Sequence, residues 1–124
     1  MKALGVHLLL DLRKCNPEFL DDLQFIKQAM LGAAQEAGAT VLGESFHKFS
    51  PLGATGIIAI SESHICIHTW PEHSYAAVDI FTCGTTVNPY QAADLIVEHL
   101  GSKNPSITEV KRGFVPQSVE TFHA

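Results

Sequence analysis

Side chains able to do chemistry are concentrated in residues 61–72, which read Ser-Glu-Ser-His-Ile-Cys-Ile-His-Thr-Trp-Pro-Glu. The second half of this segment has the alternation of a short strand, so Cys66, His68 and Trp70 point to one side. His68 and Trp70 carry polar groups that need hydrogen-bond partners when buried, so packing alone explains this face poorly. The segment therefore indicates a reactive site, with the Ser63 hydroxyl as a candidate nucleophile and the backbone at Ser63 as a candidate target.

Three interpretations of this segment fit its spacing. The plainest is structural, because a lone histidine or cysteine on a strand is usually an ordinary core or surface residue. The second is a metal site built from His64, His68 and His73, although no carboxylate or thiol falls at a familiar zinc spacing. The third is nucleophilic chemistry through Ser63 or Cys83, with His68 as the base. Spacing alone does not choose among them.

The strand that follows supplies a second thiol. Residues 65–70 and 75–83 both alternate, and the connection between them is short enough for a hairpin. In such a hairpin His68 and Cys83 lie on the same face of the sheet. We therefore expect an acid–base group near a thiol, with Ser63 just beyond.

The elements that must position these residues can be predicted from periodicity and capping signals. Asn16-Pro17 and Asn88-Pro89 each place an N-cap residue before a proline that suits the first turn of a helix. The predicted order is a strand over 3–12, a helix from Asn16 to Gly38, strands over 39–49, 55–61, 65–70 and 75–83, a helix from Asn88 to Gly101, and an edge strand over 106–112. This order predicts an α+β two-layer sandwich, a mainly antiparallel sheet with two helices on one face. The other face would lack a cover, which suggests a dimer.

Length, charge and cysteine content limit the classes of protein to which this chain can belong. The chain has 124 residues, enough for one domain, and its net charge of −5 argues against a nucleic-acid partner. No stretch approaches the length of a membrane span, and the N-terminal residues are too polar for a signal peptide. Cys15, Cys66 and Cys83 are odd in number and lack metal-type spacing, as expected of free thiols in a reducing compartment. We predict a soluble cytoplasmic protein without a nucleic-acid or membrane partner.

Longer motifs point to a known family. They lie at Gly56–Ser61, Glu62-Ser63-His64, Ile67-His68-Thr69-Trp70-Pro71-Glu72, Tyr75-Ala76-Ala77 and Asp79-Ile80-Phe81-Thr82-Cys83-Gly84. Together they resemble the bacterial and archaeal S-adenosylmethionine decarboxylases, and the resemblance runs from about Lys2 to Gly113. It implies an enzyme that converts S-adenosylmethionine to its decarboxylated form, the aminopropyl donor for spermidine synthesis.

The resemblance implies a proenzyme that cleaves itself between Glu62 and Ser63. The Ser63 Oγ attacks the Glu62 carbonyl and converts the amide to an ester. A base then removes the Ser63 α-proton, and elimination expels the Glu62 carboxylate. The remaining dehydroalanine becomes an imine and hydrolyses to a pyruvoyl group, releasing ammonia. His68 matches the family's processing base, and Thr55 lies where a hydroxyl residue assists processing.

For turnover, the resemblance implies a Schiff base between the pyruvoyl carbonyl and the substrate amine, without pyridoxal phosphate or a metal. Cys83 matches the thiol that returns a proton to the substrate α-carbon. Trp70 and Phe49 are candidate walls for the sulfonium and adenine groups, and Glu72 is a candidate partner for the ribose hydroxyls. The plainer alternatives are core packing for the two aromatic residues and a solvated charge for Glu72.

The resemblance also implies a homodimer of processed protomers, with sites near the dimer interface. Each protomer is one domain over residues 1–113, with 1–62 as the β chain and 63–124 as the α chain, and residues 114–124 are expected to be a flexible tail. Two alternatives stay open: a pyruvoyl decarboxylase for arginine or ornithine, and an unprocessed regulatory homologue without activity. Trp70 and Glu72 argue against the first.

Overall fold

The computed structural model describes residues 2–61 and 63–116, so Glu62 and the end of the predicted tail lie outside the described residues. Within these described ranges, six strands and three helices follow one another. They are β1 (Lys2–Arg13), α1 (Pro17–Leu20), α2 (Leu23–Glu36), β2 (Val41–Lys48), β3 (Ala54–Ile60), β4 (Ser63–Trp70), β5 (Tyr75–Cys83), α3 (Pro89–Leu100) and β6 (Asn104–Val115), with a 3-10 turn at Pro71–His73.

The predicted helix from Asn16 to Gly38 is wrong in one respect, because the chain breaks it into α1 and α2. Asn16 caps α1 by accepting a hydrogen bond from the Glu18 amide. Asp22 then caps α2 by accepting one from the Phe25 amide. An aspartate that can cap a new helix competes with continuation of the old one, since its carboxylate satisfies a backbone amide that would otherwise lack a partner.

The six strands form a single sheet in the order β2-β3-β4-β5-β1-β6, and every neighbouring pair is antiparallel. This confirms the predicted mainly antiparallel sheet. The first strand of the chain lies between β5 and β6, which come much later in the sequence. β6 is the predicted edge strand, but it extends to Val115, which pairs with Lys2, beyond the predicted boundary at residue 113.

The core lies between the sheet and the helices, which occupy one face. Alternate strand residues and one side of α2 and α3 are buried there, confirming the two-layer arrangement. Thr69 is buried among these apolar groups, where its hydroxyl donates to the Leu20 carbonyl (2.7 Å) and accepts from the Ala54 amide (2.9 Å). This hydroxyl links α1, β3 and β4, which fixes the strand ends where candidate site residues lie.

The other face of the sheet carries the opposite residues of each strand. It has no helix on it in the described part of the chain, and it mixes polar groups with exposed apolar side chains. The exposed apolar residues with this strand parity are Leu9, Ile57, Trp70, Val110 and Phe114. We call this surface the open face. Among the helices described, none has both the length and the apolar character needed to cross a membrane.

Candidate active site

The β4–β5 hairpin forms as predicted, and its register decides which candidate residues can meet. His68 pairs with Ala77, close to the connection between the two strands. Cys83 ends β5, six residues beyond Ala77. The two residues share strand parity and therefore the open face, but at the rise of a strand they lie about 20 Å apart. The expected proximity of His68 to Cys83 is therefore wrong within one chain.

One cluster of predicted residues lies at the far end of this hairpin. Ser63 begins β4 and Cys83 ends β5, so antiparallel pairing brings the two side chains together. The Ser63 Oγ lies 3.9 Å from the Cys83 Sγ, and both residues are half-buried. Gly84 follows in the left-handed region (φ 77°), which turns the chain away directly after the thiol. We call Ser63 and Cys83 the reactive half-site.

A second cluster lies near the opposite end of β4. The register of β3 and β4 places Thr55 directly beside His68, and a hydrogen bond of 2.9 Å joins Thr55 Oγ1 to His68 Nδ1. The hydroxyl fixes the orientation of the imidazole and leaves the other ring nitrogen, Nε2, available for proton transfer. This arrangement suits a base held in position by a neighbouring hydroxyl.

The predicted substrate contacts surround this imidazole. A cavity of about 350 Å³ is lined by Phe49, Trp70 and Glu72 together with Thr55 and His68. Phe49 is 46% exposed and Trp70 40% exposed, so neither is a core residue. Their rings are available to stack on a planar or cationic ligand, and the exposed Glu72 carboxylate can accept hydrogen bonds from it. We call these five residues the recognition half-site.

The two half-sites are separated within one chain. Ser63 and His68 are five residues apart on the same strand, a distance of about 16 Å at 3.3 Å per residue. A general base must come within about 3 Å of the proton that it removes. Within one chain, His68 therefore does not reach the α-proton of Ser63.

The three thiols have different surroundings. Burial raises the pKa of Cys15, and burial together with the Asp79 carboxylate raises the pKa of Cys66 to about 11. Both therefore stay protonated near neutral pH, as is typical of thiols that have no reactive role. Cys83 is the thiol that lies beside Ser63.

A polar cluster on the open face was missed in the sequence. His7 Nε2 lies 3.2 Å from Asp79 Oδ2, and His64 Nε2 lies 3.9 Å from the same oxygen. The side chain of His64 thus contacts residues of β5 and β1, and the interpretation of His64, His68 and His73 as a metal site is not supported, since His64 groups with His7 and Asp79 instead. The available signal was polar residues alternating with apolar ones on β1 and β5, but their register was unknown from the sequence.

Comparison with known proteins gives consistent results over nearly the whole chain. A sequence profile of the S-adenosylmethionine decarboxylase family matches residues 6–113. An S-adenosylmethionine decarboxylase proenzyme from Thermodesulfovibrio yellowstonii is 51% identical over 115 residues, covering 93% of this chain and 85% of the relative. Another from Clostridium kluyveri is 48% identical over 120 residues, covering 97% of this chain and 95% of the relative. The crystal structure of the adenosylmethionine decarboxylase from Aquifex aeolicus VF5 matches with a TM-score of 0.89 at 37% identity, covering 94% of this chain and 97% of that one.

Proposed function

The chain belongs to the S-adenosylmethionine decarboxylase family, and from this premise we propose that it activates itself by cleavage between Glu62 and Ser63. It is an enzyme that removes carbon dioxide from S-adenosylmethionine. The observation that carries the proposed chemistry is the reactive half-site, where the Ser63 hydroxyl lies 3.9 Å from the Cys83 thiol. A thiol at this distance can serve as a proton donor in turnover once the serine has become part of the catalyst.

The proposed cleavage uses only side chains of the protein, drawn from two copies of the chain, because His68 lies too far from Ser63 in one copy. Ser63 Oγ attacks the Glu62 carbonyl carbon, which shifts the acyl group from nitrogen to oxygen. His68 of the partner subunit then removes the Ser63 α-proton, and the Glu62 carboxylate leaves as the carbon–carbon double bond forms. Water displaces ammonia from the resulting enamine after it tautomerises, which leaves a pyruvoyl group on the amide nitrogen of His64. Thr55 supports this step by holding the His68 ring through its hydrogen bond.

For turnover, the chain's residues bind the substrate and supply a proton. When present, the pyruvoyl group supplies a carbonyl that withdraws the electrons released with carbon dioxide. The short distance between Cys83 Sγ and Ser63 Oγ supports this thiol as the proton donor to the substrate α-carbon. Trp70 and Phe49 stack on the adenine and sulfonium groups, and Glu72 accepts hydrogen bonds from the ribose hydroxyls.

We propose that the working unit is a homodimer of processed protomers, two α and two β chains. In the single chain, the reactive and recognition half-sites lie about 16 Å apart at opposite ends of β4. Two copies that pack their open faces together around a two-fold axis, with their β4 strands antiparallel, bring each reactive half-site against the partner's recognition half-site. The exposed apolar side chains of the open face would be buried by this contact.

The cysteines support the cytoplasm as the proposed compartment. Cys15, Cys66 and Cys83 are all free thiols, which suits a reducing environment.

The mass of the purified protein tests the cleavage. We expect two fragments that divide between Glu62 and Ser63, the second blocked to Edman degradation, and Ser63→Ala should remain one chain. Cys83→Ala should be cleaved but have crippled turnover, since it lacks only the proton donor. A wild-type chain that stays intact after long incubation would contradict the pyruvoyl mechanism, and full turnover by Cys83→Ala would remove that thiol from it.

Carbon dioxide release from S-adenosylmethionine, arginine and ornithine tests the substrate. We expect release from S-adenosylmethionine only, because the recognition half-site offers aromatic faces and a carboxylate suited to a nucleoside sulfonium. Release from a basic amino acid would instead assign the chain to the alternative decarboxylases, and no release from any substrate would favour a regulatory homologue.

A further inference from the structure

In the polar cluster on the open face, the donor and acceptor of each hydrogen bond to His7 can be assigned. The Arg112 guanidinium lies 3.3 Å from His7 Nδ1 and can only donate, so Nδ1 accepts. The proton of a neutral His7 ring is then on Nε2, which donates to Asp79 Oδ2 at 3.2 Å. Asp79 is also the strand partner of Cys66, and its carboxylate helps to raise the pKa of that thiol.

The direction of these hydrogen bonds disfavours a metal ion at this cluster, although its ligand atoms are close enough to bind one. The ligand atoms of His7, His64 and Asp79 lie within 4.8 Å of one another. A metal on His7 Nε2 would move the ring proton to Nδ1, where it would face the donor groups of Arg112. Histidines that bind metals usually donate their second N–H to an acceptor, the reverse of this contact.

The remaining member of the cluster is His64, which lies next to Ser63 in the chain. Its Nε2 is 3.9 Å from the Asp79 carboxylate, and its ring packs against His7 (6.0 Å between centroids) and Phe81 (5.8 Å). Its backbone lies between Ala59 of β3 and Phe81 of β5. His64 is thus held by its backbone pairing and by its side chain.

We propose that Asp79, held by His7, is a positioning residue that fixes His64 and through it the reactive chain end. This inference rests on the proposed self-cleavage. Before cleavage, residue 63 is bonded to the chain on both sides; afterwards its only covalent link to the protein is the bond to His64. The position of the carbonyl relative to the Cys83 thiol then depends on how firmly His64 is held, and small displacements of reacting groups slow a reaction steeply.

A double-mutant cycle on the full-length protein tests this role. We expect Asp79→Ala and His64→Ala each to be cleaved to completion and to lose between about 10-fold and 100-fold in kcat, with KM for S-adenosylmethionine unchanged. The double variant should lose no more than either single one, because Asp79 acts through His64. Asp79→Asn should recover part of kcat, since its amide oxygen can still accept the hydrogen bond from His7 Nε2 and so keep the side chain in place beside His64. Asp94→Ala, which removes an exposed carboxylate from α3, is the matched control and should keep full kcat.

Each other outcome overturns the inference. Losses that add in the double variant would mean that Asp79 does not act through His64. An unchanged kcat in Asp79→Ala, or an equal fall in cleavage and turnover, would exclude a role at the cleaved chain end. Stoichiometric zinc in the purified protein, with turnover lost on chelation, would replace the inference with a metal site. If Asp79→Ala fails to fold, Asp79→Asn takes its place in the cycle. The kcat of His64→Ala alone is then compared with the kcat of the double variant His64→Ala/Asp79→Asn. A further loss of kcat in the double variant would be independent of His64 and would overturn the inference. Failure of the wild type to cleave would overturn the proposed function instead.

Discussion

Two inactive variants should restore each other's activity when they pair. Ser63→Ala destroys the reactive half-site, and His68→Ala destroys the recognition half-site. Neither variant should cleave alone, because every copy lacks either the serine or the base. Since His68 and Ser63 lie about 16 Å apart in one chain, each site takes these two groups from different chains. In a mixed dimer, the Ser63 of one chain meets the His68 of the partner subunit, and one of the two sites is intact.

The size of the restored activity follows from counting sites. Random pairing of equal amounts makes about half of the dimers mixed, and each mixed dimer holds one intact site of two, which gives about one quarter of wild-type turnover. Cleavage should be confined to the chain that carries His68→Ala, because that chain keeps Ser63. The assay is co-expression with different affinity tags, followed by carbon dioxide release and by the mass of the 63–124 fragment.

A matched pairing shows whether the restored activity reports shared sites. Ser63→Ala mixed with Cys83→Ala alters the same half-site in both chains, so no site with both Ser63 and Cys83 can form and turnover should stay low. Absence of cleavage in the mixture of Ser63→Ala and His68→Ala, with mixed dimers shown to be present, would refute the shared site. Cleavage by Ser63→Ala chains would refute the role of that serine.

Three further predictions concern the scaffold, and the stability ones are best measured by urea unfolding of Ser63→Ala, which should stay one chain. Thr69→Val should lower the free energy of unfolding by about 2–4 kcal/mol, since it leaves two buried backbone groups without their partner; a loss below 0.5 kcal/mol would mean that water replaces the hydroxyl. Gly56→Ala should lower the free energy of unfolding by about 1–3 kcal/mol, because its Cβ would clash with the Phe46 ring, and Phe46→Leu should recover part of that loss. Asp11 raises the pKa of Tyr75 to about 12 by accepting its hydrogen bond, so stability should fall as pH rises from 10 to 12, where the unfolded chain loses this proton first. Absorbance at 295 nm should show this late ionisation, and a midpoint unchanged in Asp11→Ala would exclude the carboxylate as its cause.

Most of the fold could be predicted because its determinants are local. Period-two alternation identified the strands, and the Asn-Pro pairs identified where α1 and α3 begin. The break after α1 was missed because Asp22 is a capping residue inside an otherwise helical pattern. The extension of β6 was missed because its last residues are held by pairing with β1, which no local pattern reveals.

The site was predicted less completely, for a reason of geometry. The alternation of residues along each strand predicts the sheet face of each side chain, and it correctly placed His68 and Cys83 on the same face. Distance along the strand separates them, and only the register shows that they lie at opposite ends of the hairpin. The pairing of His7 with Asp79 depends likewise on the meeting of β1 with β5 across 72 positions of sequence.

The position of β1 in the sheet has a consequence for the life of the enzyme. A cut after residue 62 would leave β1, β2 and β3 on one fragment and β4, β5 and β6 on the other. In the sheet order, β1 then lies between β5 and β6, two strands of the other fragment. The fragments would stay joined by backbone hydrogen bonds on both sides of β1, without a covalent bond. Once unfolded, they could find each other again only by collision, whereas the uncut chain refolds from a single molecule. Self-cleavage would thus make unimolecular folding possible only once. The chain folds as one piece and cuts itself, and its activity then requires that the two fragments stay associated.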